Sequence, residues 1–126
     1  MTKCGRQRNE VRLSDYAPDA IRASVKRSLA HLRTEYLDVV YLHDVEFVCA
    51  RTMTRRSGNH LGALTEEEDA RAYGLAEGSE GAVLGEGDRA VVDAVREMRK
   101  MKEEGLIRNV GIAGTPSRII HLFIYP

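Results

Sequence analysis

The sequence predicts an α/β fold with a parallel sheet, and three observations carry that prediction. Thr34–Asp44 (TEYLDVVYLHD) is a dense run of strand-forming residues ending on a histidine. An amphipathic helical pattern stands directly before it. A second such pattern, much later, leads into a second short apolar run, Leu106–Ala113. Helix, strand, helix, strand is the rhythm of βαβ units. A strand this continuously apolar calls for cover on both faces, as in a parallel sheet between helices.

The elements follow in order. Met1–Gly5 (MTKCG) is too short to assign by itself, and Gln7–Asp15 is polar and loop-like. Pro18 opens the first helix, because proline suits the first helical position, and Asp19 puts negative charge in the first turn. Ala17 is a poor residue for the capping position before it. Ile21, Val25, Leu29 and Leu32 form one apolar stripe at helical spacing. After the Thr34–Asp44 strand comes a stretch basic at Arg51–Asn59, acidic at Thr65–Asp69 and glycine-rich at Gly74–Gly87. This composition predicts a flexible loop insert at about 51–87, with one short helix around Thr65–Tyr73. Asp88 is expected to cap the second helix, whose stripe is Val91, Val95, Met98 and Lys102, and Gly105 to stop it.

With 126 residues the chain amounts to one ordinary domain at most. The 19 basic and 19 acidic residues balance, which argues against nucleic acid or an anionic membrane as partner. Cys4 and Cys49 form no close pair, so free thiols in a reducing compartment are expected. The polar, basic start has no apolar signal core, and no run approaches the ~20 apolar residues of a spanning helix. These features predict a cytoplasmic protein. His31, His60 and His121 show no metal-ligand spacing with either cysteine, so no metal site is expected.

Parallel α/β folds place their chemistry at the C-terminal ends of strands, which singles out His43. The commonest role of a histidine at such a place is structural, and Asp44 after it reads as a contact to loop backbone. Gly85-Glu86-Gly87-Asp88-Arg89-Ala90 matches a G-x-G-x-x-A dinucleotide fingerprint. Only Ala82–Leu84 could supply the strand before it, so the match reads as coincidental.

Two blocks resemble a known family. Asp15–Asp44 (DYAPDAIRASVKRSLAHLRTEYLDVVYLHD) and Ala90–Gly114 (AVVDAVREMRKMKEEGLIRNVGIAG) are similar to consecutive helix-strand units of the aldo-keto reductases, in wording nearest the D-arabinose and L-galactose 1-dehydrogenase-like branch. The resemblance implies a partial (β/α)8 TIM barrel with about three parallel strands and two or three helices. Thr2-Lys3-Cys4, Leu37–His43 and Ile107–Ala113 would be its third, fourth and fifth strands. It implies an NAD(P)-dependent oxidoreductase acting by hydride transfer on an aldose, lactol or small carbonyl. The family's catalysis uses an aspartate, a tyrosine, a lysine and a histidine. Lys3, in TKCG, and His43, in YLHD, match the last two; the first two would precede Met1. The family's fifth strand ends in a Gly-x-Ser pattern that helps hold the NAD or NADP carboxamide. Here it reads Gly111-Ile112-Ala113-Gly114, so Ala113 and Gly114 are the implied cofactor positions, with alanine at the serine's place. The apolar end of the chain, RIIHLFIYP, looks cut in mid-element, and a part-barrel would self-associate through its open strand edges. The alternative reading is a non-catalytic barrel fragment or interaction piece.

Overall fold

The computed structural model describes residues 1–5, 16–45, 48, 67, 71 and 85–114. They form β1 (Thr2–Gly5), α1 (Pro18–Leu32), β2 (Leu37–His43), α2 (Glu86–Glu103) and β3 (Ile107–Ala113). The three strands lie in one sheet in the order β1-β2-β3, and both pairings are parallel. Neighbours in sequence are neighbours in the sheet, the order a barrel requires, and the architecture fits part of a TIM barrel.

Pro18 occupies the start of α1 as expected, and Ala17 caps it with backbone only, its carbonyl accepting from the Ile21 N–H at 3.0 Å. Ile21, Val25 and Leu29 are buried, but Leu32 is 60% exposed. The helix ends there, because Arg33 turns left-handed (φ 52°) and the Thr34 N–H closes on the Leu29 carbonyl. The second helix starts earlier than Asp88. Gly85 is the capping residue, in extended conformation, and its carbonyl accepts from the Arg89 N–H at 3.1 Å. Asp88 is instead a fully buried residue of the first turn. The buried stripe runs through Val91, Ala94, Val95, Met98 and Met101, while Lys102 is exposed. A period of 3.6 brings residue 101 rather than 102 back to the inner face. Gly105 (φ +80°) ends the helix in a Schellman closure, with Leu106 N–H on the Met101 carbonyl and Gly105 N–H on that of Lys102.

Both helices lie against the sheet and against each other. Arg22 of α1 ties them together. Its Nη atoms donate to both carboxylate oxygens of Glu104 at 2.7 Å, and its Nε donates to Glu97. The core beneath holds Cys4, Ile21, Val25, Val40, Leu42, Val91, Met98 and Met101. Cover on both faces of β2 is not what the described residues show. Val40 and Leu42 are buried, whereas Val39, Tyr41 and His43 are only partly so. At the N-terminal end of the sheet, Arg108 stacks 3.8 Å from the Tyr36 ring centroid and donates to Asp38 at 3.2 Å.

Among the described residues no helix is long and apolar enough to cross a membrane. Within the expected 51–87 insert, Glu67 and Arg71 are helical and form an i,i+4 ion pair, Gly85 caps α2, and Glu86 and Gly87 already belong to that helix. The rest of that stretch, Ala82–Leu84 included, lies outside the described residues, as do Cys49 and RIIHLFIYP.

Candidate functional site

In a parallel sheet, residues in register point to the same face, and so do residues two apart along a strand. Lys3 pairs with Tyr41, and Tyr41 with Gly111; Gly5 pairs with His43, and His43 with Ala113. Two rows thus run across the face turned away from the helices. The second row lies at the C-terminal ends of all three strands.

Lys3 and His43 are forty residues apart in sequence, yet the Lys3 ammonium is 3.3 Å from Nε2 of His43. Asp44 completes the group, with its Oδ1 3.0 Å from the same nitrogen. The His43 and Asp44 side chains are 32% and 18% exposed, accessible yet partly withdrawn from water. A cation and a carboxylate thus converge on one imidazole nitrogen, and of the three groups the ammonium and the imidazole N–H can donate hydrogen bonds to an oxygen that gains negative charge.

The backbone beneath the group is tightly held. Asp44 lies in the left-handed region (φ 57°), where Asp is among the few side chains tolerated, and its N–H donates to the Ala113 carbonyl at 2.7 Å. Tyr16, fully buried just before α1, donates its hydroxyl to the His43 carbonyl at 2.7 Å and lies 3.1 Å from that of Asp44. Gly5 (φ +102°) makes room for this ring: a Cβ there would come within 3.0 Å of Tyr16 Cε1.

Sequence reasoning missed Tyr16, and it missed the contact of the Asp44 carboxylate with His43. The signal for Tyr16 was present. An apolar residue at the position before the cap, paired with Ile21 in the second turn, is the pattern of a hydrophobic staple, and both side chains belong to the core. The Asp44 backbone does touch a neighbouring strand, but its carboxylate goes to the histidine.

Ala113 and Gly114 follow on the adjacent strand end. They are apolar and offer backbone groups only, and the Ala113 carbonyl already accepts from Asp44. These positions do not by themselves fit the grip that a nicotinamide carboxamide needs. Gly85–Ala90 forms the start of α2, with Gly87 and Asp88 buried. Among the described residues no group of three or more His, Cys, Asp or Glu side chains is placed to hold a metal ion.

Comparison with known proteins gives a consistent result. Residues 1–122 match the Aldo/keto reductase family. The chain is 33% identical over 102 residues to a D-arabinose 1-dehydrogenase of Saccharomyces cerevisiae, a match covering 81% of this chain and 19% of that protein. It is 26% identical over 124 residues to an L-galactose dehydrogenase of Arabidopsis thaliana, covering 98% of this chain and 25% of that protein. The chain thus spans a fifth to a quarter of the length of these curated relatives.

Proposed function

This chain belongs to the aldo/keto reductase family, and from that premise we propose that it carries the carbonyl-orienting part of an NAD(P)-dependent oxidoreductase site for an aldose, lactol or small carbonyl substrate. The single observation that carries the reading is the 3.3 Å approach of Lys3 Nζ to His43 Nε2 at the C-terminal ends of the strands. In a (β/α) barrel that end is the catalytic one.

The substrate oxygen is addressed by His43 and by the Lys3 ammonium beside it, two donors fixed to adjacent strands. Negative charge grows on that oxygen when hydride reaches the carbonyl carbon, and preset donors stabilise it without reorganising. The family's nicotinamide, NAD or NADP, is the hydride carrier. At the adjacent strand end, Ala113 and Gly114 offer backbone groups alone. Tyr16 is not the proton donor of such a site, because it is fully buried and its hydroxyl points at backbone carbonyls.

A second reading is supported by the same two positions: the chain alone is a non-catalytic part of a barrel. A panel of aldoses assayed with NAD and NADP, alongside thermal melts with each cofactor, separates the two. Saturating ligand at a hundredfold excess over Kd stabilises the folded state by about 2.7 kcal/mol. Sugar-dependent cofactor reduction that disappears in His43→Gln supports the oxidoreductase. A cooperative melt unmoved by cofactor, with no turnover on any sugar, leaves the non-catalytic reading standing.

A further inference from the structure

Lys3 and Asp44 both approach Nε2 of His43, at 3.3 Å and 3.0 Å. One imidazole nitrogen cannot serve both. With a lone pair it accepts from the lysine; with a proton it donates to the carboxylate. The choice decides whether His43 presents a donor or an acceptor at the strand ends.

The two competitors are held very differently. Lys3 is exposed and reaches the ring from β1 at the end of a four-carbon chain, so several rotatable bonds separate its ammonium from the backbone. Asp44 follows His43 directly, and its backbone is fixed on both sides. Its N–H is bound to the Ala113 carbonyl at 2.7 Å, and its own carbonyl lies 3.1 Å from the Tyr16 hydroxyl. The left-handed turn at φ 57° brings its carboxylate back over the ring of its neighbour. The shorter contact is thus also the better anchored one.

From this arrangement we infer that Asp44 is a positioning residue that keeps the proton of neutral His43 on Nε2. The inference rests on the reading of His43 as the carbonyl-orienting group and adds a residue to it. With the proton on Nε2, His43 carries its donor on the side where Lys3 stands; a substrate oxygen arriving there accepts from the Lys3 ammonium and takes the Nε2–H over from the Asp44 carboxylate. Without the carboxylate, the Lys3 ammonium takes the Nε2 lone pair, the proton moves to Nδ1, and His43 has nothing to donate there.

Long-range proton-nitrogen NMR of the ¹⁵N-labelled chain, at a pH where the ring is neutral, distinguishes the two tautomers directly. The His43 signals are assigned by their loss in His43→Gln. The wild-type chain is expected to show the Nε2–H form, Lys3→Met to keep it, and Asp44→Gly to shift to Nδ1–H. Glycine accepts the left-handed backbone of residue 44 and so removes the carboxylate without strain. An Nδ1–H wild type, or an Asp44→Gly variant with unchanged tautomer, overturns the inference. Should Asp44→Gly not fold, the wild-type and Lys3→Met spectra decide alone. Neither substrate nor cofactor is present, so absence of turnover leaves this result untouched, and an active enzyme with an Nδ1–H histidine sinks this inference only.

Discussion

The Tyr16 hydroxyl donates to the backbone carbonyl of His43 at 2.7 Å, across 27 residues of sequence and from a fully buried ring. The bond fixes the end of β2 where the candidate site lies. Tyr16→Phe keeps the ring and removes the bond. A net hydrogen bond contributes about 1 kcal/mol, and an unsatisfied buried partner raises the loss to about 1–3 kcal/mol. Denaturant unfolding is expected to show a loss in that range. A Phe variant as stable as the parent would mean that water replaces the hydroxyl.

Gly111 and Tyr41 are register partners, and a Cβ on Gly111 would stand 2.7 Å from Cδ1 and Cε1 of the Tyr41 ring. The ring must move if the methyl is added. Gly111→Ala is expected to destabilise by about 1–3 kcal/mol, the usual effect of overpacking. Tyr41→Ala removes the obstacle, so the double variant should recover by a coupling of about 0.5 kcal/mol or more. Strict additivity of the two changes would show that the ring already has room to turn.

Much of this was readable from local pattern, because local patterns have short periods. Pro18, Ile21, Val25 and Leu29 follow the helical repeat, and Gly105 stands where a helix must turn left-handed. The errors lie where geometry acts at a finer grain. Asp88 has the side chain of a cap, yet the extended Gly85 begins the helix three residues before it. Lys102 fell on the stripe by a count of four where the helix needed three. His43 is legible from its place at a strand end and Lys3 only from the family resemblance, and their contact depends on parallel register across forty residues. No spacing rule contains that register. The convergence of Asp44 on the same nitrogen depends on a single left-handed φ angle.

Arg33 ends α1 in the left-handed conformation, a place where most helices put glycine. A non-glycine residue there costs about 1–2 kcal/mol, partly offset by the chain entropy that glycine loses on folding. Arg33→Gly should stabilise by about 0.5–1 kcal/mol, measured as a raised denaturation midpoint. A lower midpoint would show that the arginine side chain contributes more than its backbone strain.

The Arg22 fork makes stability depend on acid pH. The hydrogen bonds from Arg22 hold the Glu104 carboxyl below its ordinary value of 4.5. In the unfolded chain Glu104 titrates normally, so its stabilising effect is complete above that pH and is lost as acidification protonates the folded carboxyl. Arg22→Ala also strips Glu97, whose side chain is 9% exposed, of its closest cation. Stability at neutral pH is expected to fall, with a shallower decline below pH 4.5 than in the parent. An unchanged acid limb would place the titrating groups elsewhere.

Cys4 lies on β1 beside Lys3, but its side chain faces the helices. It is 5% exposed, and its sulfur sits 3.7 Å from the Tyr41 carbonyl and 3.9 Å from the Met98 sulfur. Burial pushes its thiol up to about 12, since a thiolate there would lose its hydration. Thiolate is the reactive form, so native Cys4 should resist alkylation at neutral pH and react once denaturant exposes it, as peptide mass mapping after timed iodoacetamide labelling would show. The same shift bears on stability. The unfolded thiol ionises near its ordinary 9.0 while the folded one does not, so stability is expected to decline as pH rises from about 9 towards 12. Cys4→Ser puts a hydroxyl among apolar neighbours and should remove this alkaline decline while lowering stability at neutral pH. Rapid native labelling of Cys4 would mean that β1 opens at the sheet edge, and that the contact between Lys3 and His43 opens with it.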